Sequence, residues 1–367
     1  MTGIPVLDLG PDPRERGLVH GRAARAAVAD NVETYLDRFA AAGLGPDRAL
    51  ALGAEWIERI AAFDAEYAAE MAGVAEGAGQ PLDRIAMLNV RYELAYGVFA
   101  DEAAATPALD VDGCTAFAAL PEATRTGETL IGQNWDWLAR VRGRLLALRV
   151  RPATGPAFLT ITQAGIVGGM MGLNEAGIGL CVNGLISDRD GRHPHQKPFH
   201  LRVREILRQA SFMRALAVIL SSFRVGSTNW LLGHADGEAI DLETAPDAHG
   251  VLHPQDGILV HANHFERAAG FQSLLERTGT STLYRAERFR RGMRQANAPL
   301  DVATLKRLLS DHFGHPYAIC RHPDPADDPA HQTVTAASVI LALNQRVIHV
   351  ADGPPCETPY QAIPLAG

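Results

Sequence analysis

Gly113-Cys114-Thr115-Ala116-Phe117, followed by Gly132-Gln133-Asn134-Trp135-Asp136-Trp137, is the stretch on which the fold turns. In the first group a cysteine stands directly after a glycine and opens a short apolar run of strand character. The second group is a strand that ends in a polar and aromatic cluster with one carboxylate, Asp136. Taken alone, the Gly-Cys dipeptide leaves two readings open. Cys114 is either a small buried hydrophobe, the commonest fate of a lone cysteine, or a nucleophile that needs a base to make its thiolate.

The texture of the chain changes at this point. Before it, alanine-rich stretches over roughly 14–42, 47–61, 63–77 and 82–98 read as helices, broken by Gly-Leu-Gly-Pro at 43–46 and Gly-Ala-Gly-Gln-Pro at 77–81. Residues 99–112 lose that periodicity and read as an exposed linker. After it, short apolar segments separated by turn residues read as strands at 115–120, 129–135, 144–151, 157–163 and 178–183, with Thr126-Gly127-Glu128 as a hairpin turn. Helices are expected at 198–209, 212–223, 283–296 and 301–312, and further strands at 228–234, 238–243, 257–262, 335–342 and 346–351. Strand clusters alternating with helix clusters give an α+β fold with antiparallel sheets.

Composition excludes several classes. The chain has 367 residues, is 47% hydrophobic and 21% charged, and carries a formal charge of −8, which disfavours a nucleic-acid or anionic-membrane surface. No apolar run reaches the ~18 residues of a membrane span. The start lacks the basic and apolar regions of a signal peptide. Cys114, Cys181, Cys320 and Cys356 are widely spaced and read as reduced thiols, so the cytoplasm is the expected compartment.

Further segments join the opening pair in a fixed order: Glu15-Arg16-Gly17-Leu18-Val19-His20-Gly21-Arg22, Leu88–Glu93, Gly172–Gly177, Ser227-Thr228-Asn229-Trp230, Asn263-His264-Phe265, Thr282-x-x-Arg285-x-x-Arg288, Ile319-Cys320-Arg321-His322 and Gly353-Pro354-Pro355-Cys356. Together they resemble the acyl-coenzyme A:6-aminopenicillanic acid acyltransferase family of N-terminal-nucleophile (Ntn) hydrolases, over most of the chain. The resemblance implies a four-layer αββα sandwich. It also implies self-cleavage at Gly113–Cys114, giving a helical segment 1–113 and a catalytic segment 114–367 that stay associated as one folded unit.

Under that resemblance the chemistry is coherent. A freed Cys114 carries its own α-amine, whose reference pKa of about 7.7–8.0 lies close to the thiol's ~8.5, so moving the proton between them costs on the order of 1 kcal/mol. The same sulfur can first attack the Gly113 carbonyl. Glycine suits that position because it lacks a Cβ and tolerates strained backbone angles. Asp136 would orient the amine, Asn229 would donate to an oxyanion, and Arg285 matches an arginine near the nucleophile. Arg285 also reads as an exposed helix arginine among Arg288, Arg290, Arg291 and Arg294. Asn134, Trp135 and Asn183 are possible pocket residues, Asn183 equally a polar strand end.

Other features read as inert. His193, His195 and His200 belong to a surface loop or lid. Cys320, His322 and His331 show no recognisable zinc spacing, and no metal or cofactor is expected. Gly165-x-x-Gly168-Gly169 lacks the dinucleotide fingerprint and reads as a tight strand connection. The expected activity is hydrolysis or transfer of the acyl group of a small amide through a thioester. The alternatives are an uncut, silent binding protein, a coenzyme A-dependent N-acyltransferase, and a cysteine protease with His264 as base.

Overall fold

Segments of β-branched and aromatic character pair into two sheets, and amphipathic helices cover their outer faces. The computed structural model describes residues 3–95, 113–267, 270–277, 279–296 and 299–366. The expected linker 99–112 and the end of the helix at 96–98 lie outside these residues. Strand β1 (Val6–Leu9) precedes helices α1 (Pro13–Ala23), α2 (Arg25–Ala41), α3 (Pro46–Phe63), α4 (Ala65–Ala78) and α5 (Leu82–Asn89). Beyond Gly113 come β2 (Thr115–Ala119), β3 (Leu130–Leu138), β4 (Leu145–Val150), β5 (Phe158–Gln163), β6 (Met171–Asn174) and β7 (Ile178–Gly184). Then follow α6 (Phe199–Leu207), α7 (Phe212–Leu220), β8 (Thr228–His234), β9 (Glu238–Ala245), β10 (Ala248–Leu252) and β11 (Ile258–His261). The chain closes with α8 (Thr282–Arg294), α9 (Val302–Leu309), β12 (Thr333–Ala342), β13 (Val347–Ala351) and β14 (Gln361–Pro364).

One sheet has eight strands in the order β1-β4-β5-β6-β7-β8-β9-β10, the other six in the order β11-β2-β3-β12-β13-β14. They stack face to face: the Gln133 side chain of β3 donates to Val182 O of β7 at 2.9 Å and accepts from Val182 N at 2.7 Å. Outside the six-stranded sheet, α8 and α9 bury an apolar cluster that includes Phe117, Phe289, Leu305 and Ile340. On the far side of the eight-stranded sheet, α6 is tied to β6 through Asn174, whose Nδ2 donates to Leu207 O at 2.9 Å. The result is the four-layer αββα sandwich of the α+β class. No described helix is long and apolar enough to cross a membrane.

The first helices are joined by absence of side chain. Gly17 and Gly21 of α1 face Gly73 and Gly77 of α4 so closely that a Cβ on Gly17 would lie 2.0 Å from Glu70 O, and one on Gly73 would lie 2.3 Å from Arg14 O. Beside this contact Glu70, which is buried, accepts from Arg16 Nε at 2.7 Å and from Arg204 Nη1 of α6 at 3.1 Å. The N-terminal helices also grip the 164–168 connection: Asn31 Nδ2 donates to Ala164 O at 2.9 Å, Gly165 N donates to His20 Nε2 at 2.9 Å, and Gly168 N donates to Tyr67 OH at 3.1 Å.

Several boundaries differ from expectation for local reasons. The stretch 14–42 is two helices because Ala24 leaves helical geometry at φ −119°, ψ 24°. Thr126-Gly127-Glu128 is part of a longer connection, since the β2–β3 register ends at Ala119 opposite Leu130. The sheets are not wholly antiparallel, because β1 pairs with β4 in parallel, Val6 opposite Ala147. β1, β6, β10 and β14 are short, and hydrophobic alternation over four or five residues did not mark them.

Candidate functional site

Alternation along β2 and β3 sends chemistry to two opposite faces of the six-stranded sheet. Cys114, 2% exposed, faces the space between the sheets, in a narrow cleft lined by Tyr92, Trp135, Met170, Val182, Asn183 and Phe199, with Gly184 and Thr228 at its polar side. The cysteine sulfur is 3.9 Å from Asp136 O. Trp135 and Trp137 stack with ring centroids 6.2 Å apart. Behind the wall, the buried Arg91 guanidinium lies 4.0 Å from the Tyr92 ring centre and 5.2 Å from that of Trp137. Two roomier depressions, about 310 and 360 Å³, lie around Phe63 and Arg208 and around Val251 and Arg290, with no cysteine in either wall.

The opposite face grips the main chain of the same residues. Arg285, fully buried on α8, donates through Nη1 to Gly113 O, to Cys114 O and to Thr115 Oγ1, and through Nη2 to Asn263 Oδ1 at 2.8 Å. Asp136 accepts from Thr335 Oγ1 at 2.6 Å and lies 3.5 Å from Arg321 Nε, all three side chains being fully buried. Arg321 also donates to Thr333 Oγ1 at 3.0 Å and reaches Ser281 Oγ at 3.4 Å, a hydroxyl shared with Arg285 Nε at 3.2 Å. A Cβ on Gly113 would sit 2.4 Å from Arg321 Nε. The glycine thus serves close approach of Arg321.

On the facing sheet, β7 and β8 place Asn183 opposite Asn229. Both are buried, and Asn229 Nδ2 lies 3.4 Å from Asn183 Oδ1. His261 Nε2 of β11 and Glu243 Oε1 of β9 are 2.7 Å apart in a fully buried pair that joins the two sheets. Burial pulls His261 down, yet the charges of Asp241 and Glu243 outweigh it and push it up to about 9. Burial pushes Asp241 up to about 6, against the pull of His261.

The structure thus brings Cys114, Asp136 and Arg285 to one end of β2–β3 and puts Trp135 and Asn183 on the cleft wall. Asn134 is elsewhere. It points to the helix side, where Nδ2 donates to Leu309 O at 2.8 Å and Ile319 O at 2.7 Å, because alternation places it opposite in direction to Trp135. Arg285 is not an exposed helix arginine. Of the three loop histidines, His200 is buried at the start of α6, with Nδ1 2.8 Å from Gly169 O, while His195 meets Trp56 in a tilted contact and His193 stacks on Phe223. His264, the alternative base, pairs with Thr282 Oγ1 at 3.0 Å. Arg321, Ser281 and Thr335 escaped a residue-level reading. Only Arg321 carried a signal, as part of the Ile319–His322 segment.

Residues 123–354 match the family model described as acyl-coenzyme A:6-aminopenicillanic acid acyl-transferase. Over 261 residues the chain is 30% identical to the acyl-coenzyme A:6-aminopenicillanic-acid-acyltransferase 40 kDa form of Emericella nidulans, covering 69% of this chain and 67% of that protein. Among solved structures it is similar to a Caenorhabditis elegans N-acylethanolamine-hydrolyzing acid amidase ortholog, with TM-score 0.48 and 14% identity over 63% of this chain and 93% of the other. A variant of conjugated bile acid hydrolase from Clostridium perfringens gives TM-score 0.49 and 14% identity, covering 69% and 94%.

Proposed function

Since the chain belongs to the acyl-coenzyme A:6-aminopenicillanic acid acyl-transferase family, we propose that it cuts itself between Gly113 and Cys114. The freed Cys114 would then cleave or transfer the acyl group of a small amide. The observation that carries this reading is Arg285, whose guanidinium donates to the carbonyls on both sides of the sulfur-bearing residue. In self-cleavage the Cys114 thiol adds to the Gly113 carbonyl carbon, and the Gly113 oxygen gains negative charge against Arg285. The C–N bond breaks, the amide nitrogen takes up a proton to become the α-amine, and a thioester remains. Water then opens the thioester, releasing the Gly113 carboxylate and the thiol.

In turnover the same sulfur takes the acyl group of a bound amide, with the α-amine as its base, and the amine product leaves. Asp136, fixed by Thr335 and Arg321, is suited to orient that ammonium. Asn229, opposite Asn183 of the cleft wall, is suited to donate to the substrate oxyanion. The aromatic and aliphatic wall favours an apolar acyl group.

Hydrolysis is the favoured outcome over coenzyme A-dependent transfer. Arg288 pairs with Asp311 at 2.6 Å and Arg290 with Glu287 at 2.7 Å, so two of the α8 cations are already committed to carboxylates. Fragment association is supported by the buried Glu70–Arg204 contact and by the shared core of both segments. Denaturing electrophoresis of purified protein should give two bands where size exclusion gives one species, with intact mass locating the cut before Cys114. A single full-length species after long incubation counts against the proposal.

A further inference from the structure

Four ligand-type side chains converge outside the cleft. His312 follows α9, Cys320 and His322 flank Arg321, and Cys356 sits in the turn after β13. Their ligand atoms all lie within 4.8 Å of one another. His322 Nε2 is 3.2 Å from His312 Nε2, 3.4 Å from Cys356 Sγ and 3.7 Å from Cys320 Sγ.

Hydrogen bonding accounts poorly for this arrangement. A ring nitrogen has one proton or one lone pair, directed along one line in the ring plane, yet His322 Nε2 faces three ligand atoms. A tetrahedral zinc site has Zn–N of about 2.0–2.1 Å and Zn–S of about 2.3 Å, which sets N–N edges at roughly 3.4 Å and N–S edges at roughly 3.6 Å. The three observed separations match those edges. From this we propose that His312, Cys320, His322 and Cys356 bind one Zn²⁺ in a closed four-ligand structural site.

The donor set suits that ion: two imidazoles and two thiolates in a tetrahedron select zinc over hard cations such as magnesium or calcium. Backbone hydrogen bonds hold the ligands in place, Cys320 N donating to Asp311 O at 2.9 Å and His322 N to Pro316 O at 3.0 Å. The rings of His312 and His322 both lie near that of His315, at 6.2 and 5.3 Å between centroids. Cys320 is buried while His312 and Cys356 are exposed, so an ion has an entry path.

The site also has a structural consequence. Arg321 lies between two ligands and sends its guanidinium inward to Asp136 and Ser281 and against Gly113. The ion would staple the turn after β13 to this segment and hold Arg321 in register with the catalytic end of β2. The sequence spacing hid the site because Cys356 arrives from a separate turn. His331, the third residue of the sequence reading, is near Arg38 instead, at 3.4 Å.

The test needs no assay of amide chemistry. Full-length protein grown with zinc, purified reduced and without chelator, should retain close to one zinc per chain by plasma mass spectrometry. Cys356→Ser and His312→Ala should each lower bound zinc at least tenfold, whereas His195→Ala, an exposed histidine outside the cluster, should not. In the unsubstituted protein, cobalt(II) added after chelation should develop tetrahedral visible bands and thiolate charge transfer that saturate at one equivalent. Absence of both zinc and the cobalt spectrum would overturn the proposal. So would zinc retained equally by Cys356→Ser and His312→Ala, or a Cys320–Cys356 disulfide in protein kept reduced.

Discussion

The two faces of the β2–β3 hairpin divide the labour of one residue. The inner face presents the Cys114 sulfur to a cleft of aromatic and aliphatic side chains, whereas the outer face surrounds the main chain of Gly113 and Cys114 and the Thr115 hydroxyl with Arg285, Arg321 and Asp136. A strand makes this division cheaply, since neighbouring residues point to opposite sides. The lesson is that the dependence runs one way: changes in the cleft should leave self-cleavage largely intact, whereas a block on the outer face also withholds the α-amine that turnover needs. Cys114 alone belongs to both faces.

The largest effect is therefore expected at the shared residue. Cys114→Ala should give one full-length band on denaturing gels and no turnover of any amide. Either two bands or residual turnover would break the comparison at its root.

On the outer face, Arg285→Ala should slow self-cleavage about 10²–10³-fold, the range for losing a donor to a developing oxyanion. Arg285→Lys should not restore it, because one ammonium cannot replace the fork that reaches Gly113, Cys114, Thr115 and Asn263. Time-resolved gel densitometry of fresh protein measures this directly. Asn229→Ala, on the cleft side, should lower kcat by roughly 10²-fold with the cut still made. A variant that fails to cut would show that the cleft face also governs self-cleavage.

A smaller effect is expected from Phe199→Leu in the cleft wall. It should raise KM for apolar acyl groups about tenfold, the low end of the roughly 10–200-fold range for changes of a methylene in a pocket, and leave the two-band pattern unchanged.

The smallest concerns pH. His261 is raised to about 9 in the fold against 6.5 in the unfolded chain, so its contribution to stability is complete below pH 6.5 and disappears as pH rises through 9. The melting temperature should fall by a few degrees across that window, and His261→Gln should flatten the fall. An unchanged profile in the variant would mean that other groups carry it.

How much was legible depended on how far each feature reached along the chain. Long periodic elements such as α3 and α4 were found within a few residues, because an amphipathic stripe is local information. The break at Ala24 and the strands β1, β6, β10 and β14 were not, since each is fixed by partners far away in sequence. The outer-face arginines show the same limit. Arg285 could be placed only by resemblance, because helical spacing does not distinguish a buried arginine from a solvated one. Asn134 and Trp135 are adjacent in one motif, and a motif does not say which of two neighbours faces the cleft until the strand's register is known. His200 was hidden by its proline-flanked surroundings, which mimic a surface loop.

The parallel pairing of β1 with β4 has one last bearing on the molecule's life. Val6–Leu9 occupies the flank of β4, and Asp8 accepts from Arg149 Nη1 at 2.6 Å. If residues 1–113 departed after a cut, β4 would become a bare edge with its amides and carbonyls open to any passing strand. Such edges template aggregation. The first strand of the chain is thus a guard for the sandwich, and its loss would surface as precipitation of otherwise folded protein before any loss of helix content.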